Sequence, residues 1–285
     1  MKILSRLALL ALTALPMFAA APTNYQDHLG LQLWSLRATS KDNVAAALDM
    51  AKGYGVTEIE TAGTQNLTVE QFAAELKSRG LNAVSAHMGY DLVKKDLAGC
   101  IRDAKALGAI FLIVPILPRA TGFTEEDAHR VAVEFNTFGA ACKAAGLRFG
   151  YHPHGIEFTP TKAGKGETAF DVLVRETKSD LVCYEMDIFW AYHAGQDPAK
   201  LLAKYPDRWA LVHVKDIRKG AVTGLSTGSA PPIDNVAVGS GQLNWKEILS
   251  TAQRIGVQHY FIEDETPTPL QCIPDSLKYL RALKL

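Results

Sequence analysis

Apolar positions along the chain come in two alternating rhythms. Short runs rich in branched and aromatic residues, at 29–34, 56–61, 81–87, 110–115, 147–152, 181–187, 209–215 and 257–263, predict eight strands. Between them the apolar residues take helical spacing, as at Val44, Ala47, Leu48 and Ala51 within 42–54. Further helices are predicted to start at Thr68, whose pairing with Gln71 makes a capping box, and over 92–107, 125–145, 169–178, 198–205, 245–255 and 276–283. Gly80, Gly108 and Gly146 stop three of them, and Pro198 sits in the first turn of another. Eight strands alternating with eight helices predict a single (β/α)8 TIM barrel rather than an open doubly wound sheet, which usually has fewer strands.

The amino-terminal residues do not fit this alternation. Lys2 and Arg6, an apolar run over 7–15, Pro16 and the small residues Ala19, Ala20 and Ala21 read as a signal peptide over residues 1–21, too short to span a bilayer. Residues 22–285 then form the barrel domain, in the periplasm or secreted. No cysteine lies near this junction to carry a lipid, so no membrane attachment is expected after cleavage. The 30 basic and 30 acidic residues are scattered and sum to zero charge, which argues against nucleic acid or an acidic membrane as a partner and for a small neutral or weakly charged ligand. Cys100, Cys142, Cys183 and Cys272 have no C-x-x-C spacing; Cys142 and Cys183 lie in apolar stretches and read as core residues. Oligomeric state, a homo-oligomer included, stays open.

In a barrel the chemistry lies at the carboxyl ends of the strands. The second strand ends at Glu60, the third at His87 and the fifth at His152 and His154. The sixth ends at Asp187, the seventh at His213, Lys215 and Asp216, and the eighth at Glu263 and Asp264. Burying so many imidazoles and carboxylates without partners is costly, so their accumulation at one end points to a functional cluster. His152, Asp187, His213 and Glu263, from four successive strands, form a mixed donor set. It suits Mn2+, Zn2+, Co2+ or Fe2+, with Mg2+ also admissible, better than Ca2+. The Gly-, Ser- and Pro-rich connection 217–242 is long enough to act as a lid, and Gly239-Ser-Gly241 within it reads as a turn rather than a phosphate loop.

The segments Tyr151-His-Pro-His-Gly-Ile-Glu-Phe158, Asp187-Ile-Phe-Trp190, Ala194-Gly-Gln-Asp-Pro198, His213-Val-Lys-Asp216, Gly239-Ser-Gly241 before Trp245, and Ile262-Glu-Asp264 together resemble the sugar phosphate isomerase/epimerase family of xylose-isomerase-like barrels. That superfamily also holds inosose dehydratases, ketose 3-epimerases and endonuclease IV. The resemblance implies a divalent metal on His152, Asp187, His213 and Glu263 and a carbohydrate substrate. Many relatives carry a glutamate where this chain has His152, and in the ketose epimerases that glutamate also moves protons. A two-glutamate mechanism therefore does not carry over, and His154, Lys215 or Glu157 become candidates for the missing proton-transfer group.

The expected chemistry is removal of a proton beside a sugar carbonyl, with the metal stabilising the enediolate. His154 is the expected base, Lys215 and Glu263 complete the catalytic set, and Trp34, Glu60, His87 and Trp190 face the substrate. Reprotonation would give an isomer or epimer. Loss of a β-substituent would instead make the protein a lyase or hydratase on 3-keto sugars or 3-keto glycosides, and a non-catalytic sugar-binding barrel is the alternative outside enzymes. An endonuclease role is disfavoured by the neutral charge and by the apparent export signal.

Overall fold

The computed structural model describes residues 24–118, 122–164 and 166–285; the expected signal peptide lies outside them. Eight parallel strands close on themselves: β1 (Leu29–Gln32), β2 (Glu58–Thr61), β3 (Asn82–His87), β4 (Phe111–Val114), β5 (Arg148–Tyr151), β6 (Val182–Asp187), β7 (Trp209–Val214) and, after two short ribbons, β10 (His259–Ile262). The ribbons are β8 (Asp216–Ile217) and β9 (Asn235–Val236), paired antiparallel outside the barrel. Closure is made by β1 on β10, with Gly30 opposite Phe261. Beside that seam the Tyr25 hydroxyl donates to the carbonyls of Leu280, at 2.6 Å, and Leu283, at 3.0 Å, tying the two ends of the domain together.

Alternation along the strands divides the apolar residues into two cores. One set, including Leu31, Ile59, Phe149, Tyr184 and Val212, packs outward under the helices. A smaller set, Phe111, Ile113, Cys183, Leu211 and Phe261, forms a separate cluster in the barrel interior. Gly30 makes room for it, since a Cβ there would stand 2.6 Å from a Phe261 ring carbon and 2.7 Å from the Glu58 carbonyl. The interior is thus plugged by side chains, and the polar strand ends sit above a dry floor.

The helical pattern differs from expectation in four places, the first being a short extra helix, Arg37–Asp42, ahead of Val44–Gly53. The helix expected over 92–107 is two, Tyr90–Lys95 and Leu97–Leu107, because the Asp96 side chain caps Gly99 N–H and restarts the chain. An additional short helix, Ile188–His193, follows β6 directly, capped by Asp187. The last helix begins at Pro269, about two turns before the expected start, and carries Pro274 within its first turns. The capping box at Thr68 and Gln71 is present, as are similar boxes at Thr124 and Thr168. The first strand ends at Gln32, which hands Trp34 to a 3-10 turn.

The long connection after β7 is anchored by Asp216. Its buried carboxylate accepts from the N–H groups of Ile217 (2.8 Å), Gly239 (2.9 Å) and Gly241 (3.2 Å) and from the Trp245 indole (2.8 Å). Gly241 permits this approach: a Cβ there would lie 2.2 Å from Asp216 Oδ1. Asp216 is therefore a fastening of the loop rather than a group at the barrel mouth, and Gly239-Ser-Gly241 is the turn expected. Asp264 is similarly turned away, accepting from Thr266 N–H at 2.9 Å and from the Thr266 hydroxyl at 2.6 Å. Asp216→Ala would strand several buried donors, each costing about 1–3 kcal/mol. We expect a lower melting temperature and protease cleavage within 217–242; unchanged melting and protease resistance would contradict this anchoring.

At the opposite, amino-terminal end of the barrel, Glu58 receives His28 Nδ1 at 2.8 Å and His259 Nδ1 at 2.7 Å, bridging the approaches to β1, β2 and β10. Burial opposes its charge, but the two histidines outweigh burial and hold its carboxyl below the usual value. A depressed carboxyl contributes stability above its unfolded pKa of about 4.3, and that contribution disappears as pH falls through the lower folded value. Glu58→Gln should therefore lower the melting temperature near pH 7 and converge with the parent at acid pH, once the depressed carboxyl of the folded protein is protonated, measured by thermal melts across pH.

Candidate active site

Alternation brings residues two apart to the same face, so Glu185 and Asp187 of β6 both enter the barrel, as do Glu60, His87 and His213 from their own strands. His152, Lys215 and Glu263 follow one residue beyond β5, β7 and β10. Glu60, Glu185, Asp187 and His213 have no exposed surface. Such groups persist inside a barrel only with partners, and the partners determine where each imidazole proton sits.

Gln32 starts the chain of donors. Trp34 N–H fixes its amide oxygen at 3.0 Å, so its NH2 points to Glu60 Oε1, at 2.6 Å, and to His87 Nδ1, at 3.2 Å. A nitrogen that receives a donor is a lone pair, which places the His87 proton on Nε2. From there it is shared between Glu60 and Glu185, each at 2.9 Å. Burial opposes protonation of His87, but the Glu60 and Glu185 carboxylates outweigh it and push its pKa up to about 9, while the Gln32 amide hydrogen facing Nδ1 opposes a second ring proton there. His213 Nε2 lies 2.6 Å from Glu60 Oε1, and His152 Nδ1 lies 3.0 Å from Glu185 Oε2. With those protons assigned to the carboxylates, His152, held neutral by burial and by His213, turns its Nε2 lone pair the other way; Glu185, Glu60 and Glu263 favour a charged His213, so its Nδ1 is a lone pair only where a cation takes the place of that second proton.

Both nitrogens face carboxylate oxygens. His213 Nδ1 stands 3.4 Å from Glu263 Oε2 and 3.9 Å from Asp187 Oδ2, and His152 Nε2 stands 3.8 Å from Asp187 Oδ2. Asp187 Oδ1 caps the next helix through Trp190 N–H at 2.8 Å, but Asp187 Oδ2 and His213 Nδ1 are buried without a hydrogen bond. Acceptors converging on one point ask for a proton or a cation. Burial pushes the Asp187 carboxyl up to about 6 against the pull of Lys215, the cost of a charge lacking such a partner. Asp187, His213 and Glu263 can bring one donor each within 4.8 Å of one another and fit a divalent cation, with His152 Nε2, 3.8 Å from Asp187 Oδ2, as the fourth donor beside them and Glu60 and Glu185 orienting the imidazoles.

Lys215 is the cation that the chain itself supplies. Its ammonium lies 3.1 Å from Glu263 and 3.7 Å from Asp187, also bonds Glu265, and sits 5.3 Å from the ring centres of both Phe189 and Trp190. Burial alone would favour the free amine; the carboxylates reverse that and hold Lys215 charged well above its usual range.

A cavity of about 680 Å3 opens on this cluster. His87, His152, His154, Glu263 and Trp34 line it. His154 packs 4.7 Å from the His152 ring and 5.7 Å from Trp190. Trp34 is 45 % exposed at the rim, its indole N–H on Glu265 at 3.1 Å. Glu60, expected to face substrate, lies below the cluster and touches only Gln32 and the histidines. Trp190 backs Lys215 and His154 from outside the cavity lining. Glu157 takes the Tyr151 hydroxyl, and the Tyr151 ring packs on Phe135 under the helices, away from the mouth. Three residues escaped sequence reading: Gln32, Glu185 and Glu265. Glu185 had a signal, two positions before Asp187 and hence on its face; Gln32, on a short first strand, had none beyond its position at the strand end.

With this geometry in hand, a family model described as xylose isomerase-like TIM barrel matches residues 48–283, and the chain belongs to that family. An inosose dehydratase of Bacillus thuringiensis is 25 % identical over 170 residues, 56 % of this chain and 54 % of that protein, so the chain spans about half the length of the curated relatives it matches. Crystallised sugar phosphate isomerase/epimerase of Parabacteroides distasonis is 26 % identical, with a TM-score of 0.73 over 90 % of this chain and 98 % of that one. A crystal structure of IOLI protein with a bound zinc atom shares the fold at a TM-score of 0.65 and 12 % identity, over 89 % and 95 % of the two chains.

The donor arrangement predicts near-stoichiometric divalent metal in the purified protein by elemental mass spectrometry, lost in Asp187→Ala and His213→Ala. Glu185→Gln should keep the fold but weaken metal affinity about 10- to 100-fold, by loss of the His152 tautomer. Equal affinity in that variant would refute its positioning role.

Proposed function

We propose that the chain is an exported enzyme that removes the proton beside a sugar carbonyl and returns it to an isomeric position or expels a β-substituent. The observation that carries this reading is the orphaned pair Asp187 Oδ2 and His213 Nδ1, facing Glu263 and His152 where the cavity meets the barrel. A divalent cation bound there would act as a Lewis acid toward a carbonyl and neighbouring hydroxyl. The family membership and the likeness to sugar phosphate isomerase/epimerase support a carbohydrate substrate. Export rests on the leader-like residues 1–21.

Within the chain the roles divide by charge. Lys215, held as an ammonium by three carboxylates, stabilises negative charge developing on a substrate oxygen and is unsuited to serve as base. His154 lines the cavity beside His152 and is the proton acceptor in this reading. His152 stands where many relatives have a glutamate; its Nδ1 proton is committed to Glu185 and its Nε2 faces Asp187, so it serves as a metal donor without a proton-transfer role. The β-elimination outcome is favoured by the inosose dehydratase relatives, and nothing in the site's geometry separates it from reprotonation.

Incubation in D2O with ketohexoses, an inosose or 3-keto glucosides, in the presence of Mn2+, Co2+ or Zn2+, tests this directly. Deuterium at the α carbon or an elimination product is expected. His154→Ala and Lys215→Ala should each lower the rate at least about 100-fold. Absence of both exchange and product across the metal-loaded set would overturn the reading in favour of a sugar-binding barrel.

A further inference from the structure

Only one end of the cavity is built for sugar hydroxyls. Its other end is walled by Val69, Met88, Leu92, Leu107 and Ile116 from the connections after β2, β3 and β4, and Trp34 stands at the rim between the two ends. Leu92 and Ile116, 54 % and 36 % exposed, line the same cavity as Trp34 and give that end a contiguous apolar surface open to a ligand. At about 680 Å3 the space equals roughly twenty water volumes of about 30 Å3 each, well beyond the dozen heavy atoms of one hexose. Electrostatics narrow the occupant further. Among the described residues lining the cavity there is no Lys or Arg, whereas Asp103, Glu263 and Glu265 are present. The nearest rim guanidinium, Arg37, lies over the Trp34 ring at 5.2 Å and donates to the Trp34 carbonyl. Lys215 stands behind the lining, its charge already taken by Glu263 and Glu265; among the described residues the apolar end of the cavity therefore offers no cation to a phosphate or carboxylate group.

We infer that the substrate is an uncharged glycoside whose aglycone is apolar and flat, its sugar at the imidazole–carboxylate end and its aglycone along Trp34, Leu92 and Ile116. This rests on the sugar-directed reading above and gives it a substrate class: neutral aryl glycosides or their keto forms, in place of sugar phosphates. The glycosidic oxygen then falls at the boundary between the two halves of the cavity, within reach of the polar end. An aromatic group laid on an indole and two aliphatic side chains exchanges hydrated apolar surface for contact, whereas a second sugar placed there would leave its hydroxyls without partners.

Equilibrium binding separates this inference from catalysis. Purified, metal-loaded protein is titrated calorimetrically with 4-nitrophenyl β-glucoside, methyl β-glucoside, cellobiose and glucose 6-phosphate, and with the 3-keto forms of the two glucosides. The aryl compounds should bind at least tenfold tighter than their methyl counterparts and than cellobiose, with glucose 6-phosphate weakest. Leu92→Asn combined with Ile116→Asn, two partly exposed positions, with folding checked by circular dichroism, should abolish the aryl preference, read as the ratio of aryl to methyl glucoside affinity. Aryl preference without any turnover would uphold the substrate class while removing the proton-abstraction reading. Turnover with equal affinity for aryl and methyl compounds, tighter binding of cellobiose or of the phosphate, or an aryl preference retained in the double variant would overturn the inference.

Discussion

A carboxylate sealed in an apolar barrel has to find donors, and two such groups order everything around them. Glu60 and Glu185 are fully buried and reach no solvent, so each takes the protons that surrounding side chains can give: Gln32, His87 and His213 for one, His87 and His152 for the other. Bonding one oxygen of each acid, Glu60 Oε1 and Glu185 Oε2, orients three imidazoles, while the other oxygen of each stays buried without a hydrogen bond. The remaining nitrogens of His152 and His213 are left aimed at Asp187 and Glu263. The lower tier of the site is thus a scaffold of hydrogen bonds, and the reactive tier above it inherits its orientation.

The fold was legible because its periodicities were clean. Parallel strands covered on both faces read as short apolar runs, and capping boxes and glycine stops marked the helices between them. Errors fell where local chemistry overrode the rhythm. Asp96 split one apolar helix in two by capping Gly99, and Asp187 started a helix where only a loop was expected. The upper tier of the site was equally legible, since reading the last residue of each strand yields His87, His152, Asp187, His213 and Glu263. The lower tier was not: Glu185 and Gln32 lie on the same faces, but their roles emerge only when closure brings β1, β2, β3 and β6 together at the axis. Asp216 and Asp264 show the converse error, two carboxylates beside the strand ends whose oxygens are taken up by backbone and side-chain donors of their own loops.

Lys215 links the two halves of the cavity's chemistry. It shares Glu263 with His213 and Glu265 with Trp34, so a change in charge at the donor cluster is felt at the aromatic rim through one ammonium. Coupling of this kind needs no moving part. The indole that borders the apolar wall and the carboxylate that borders the donor cluster are three hydrogen-bond steps apart, through Glu265 and Lys215.

The seam between β1 and β10 has a consequence for how the site comes into being. The donors are spread from His152 to Glu263, and Glu263 directly follows the strand that closes the ring. Gln32, which orients the lower tier, belongs to the strand on the other side of the same seam. A growing chain therefore carries neither a finished ring nor a finished donor set until its last strand is available. Closure of the barrel and assembly of the donor cluster are one event, so every shorter product of synthesis or proteolysis that lacks β10 also lacks Glu263 and the seam that holds Gln32 in place, whatever local structure it retains.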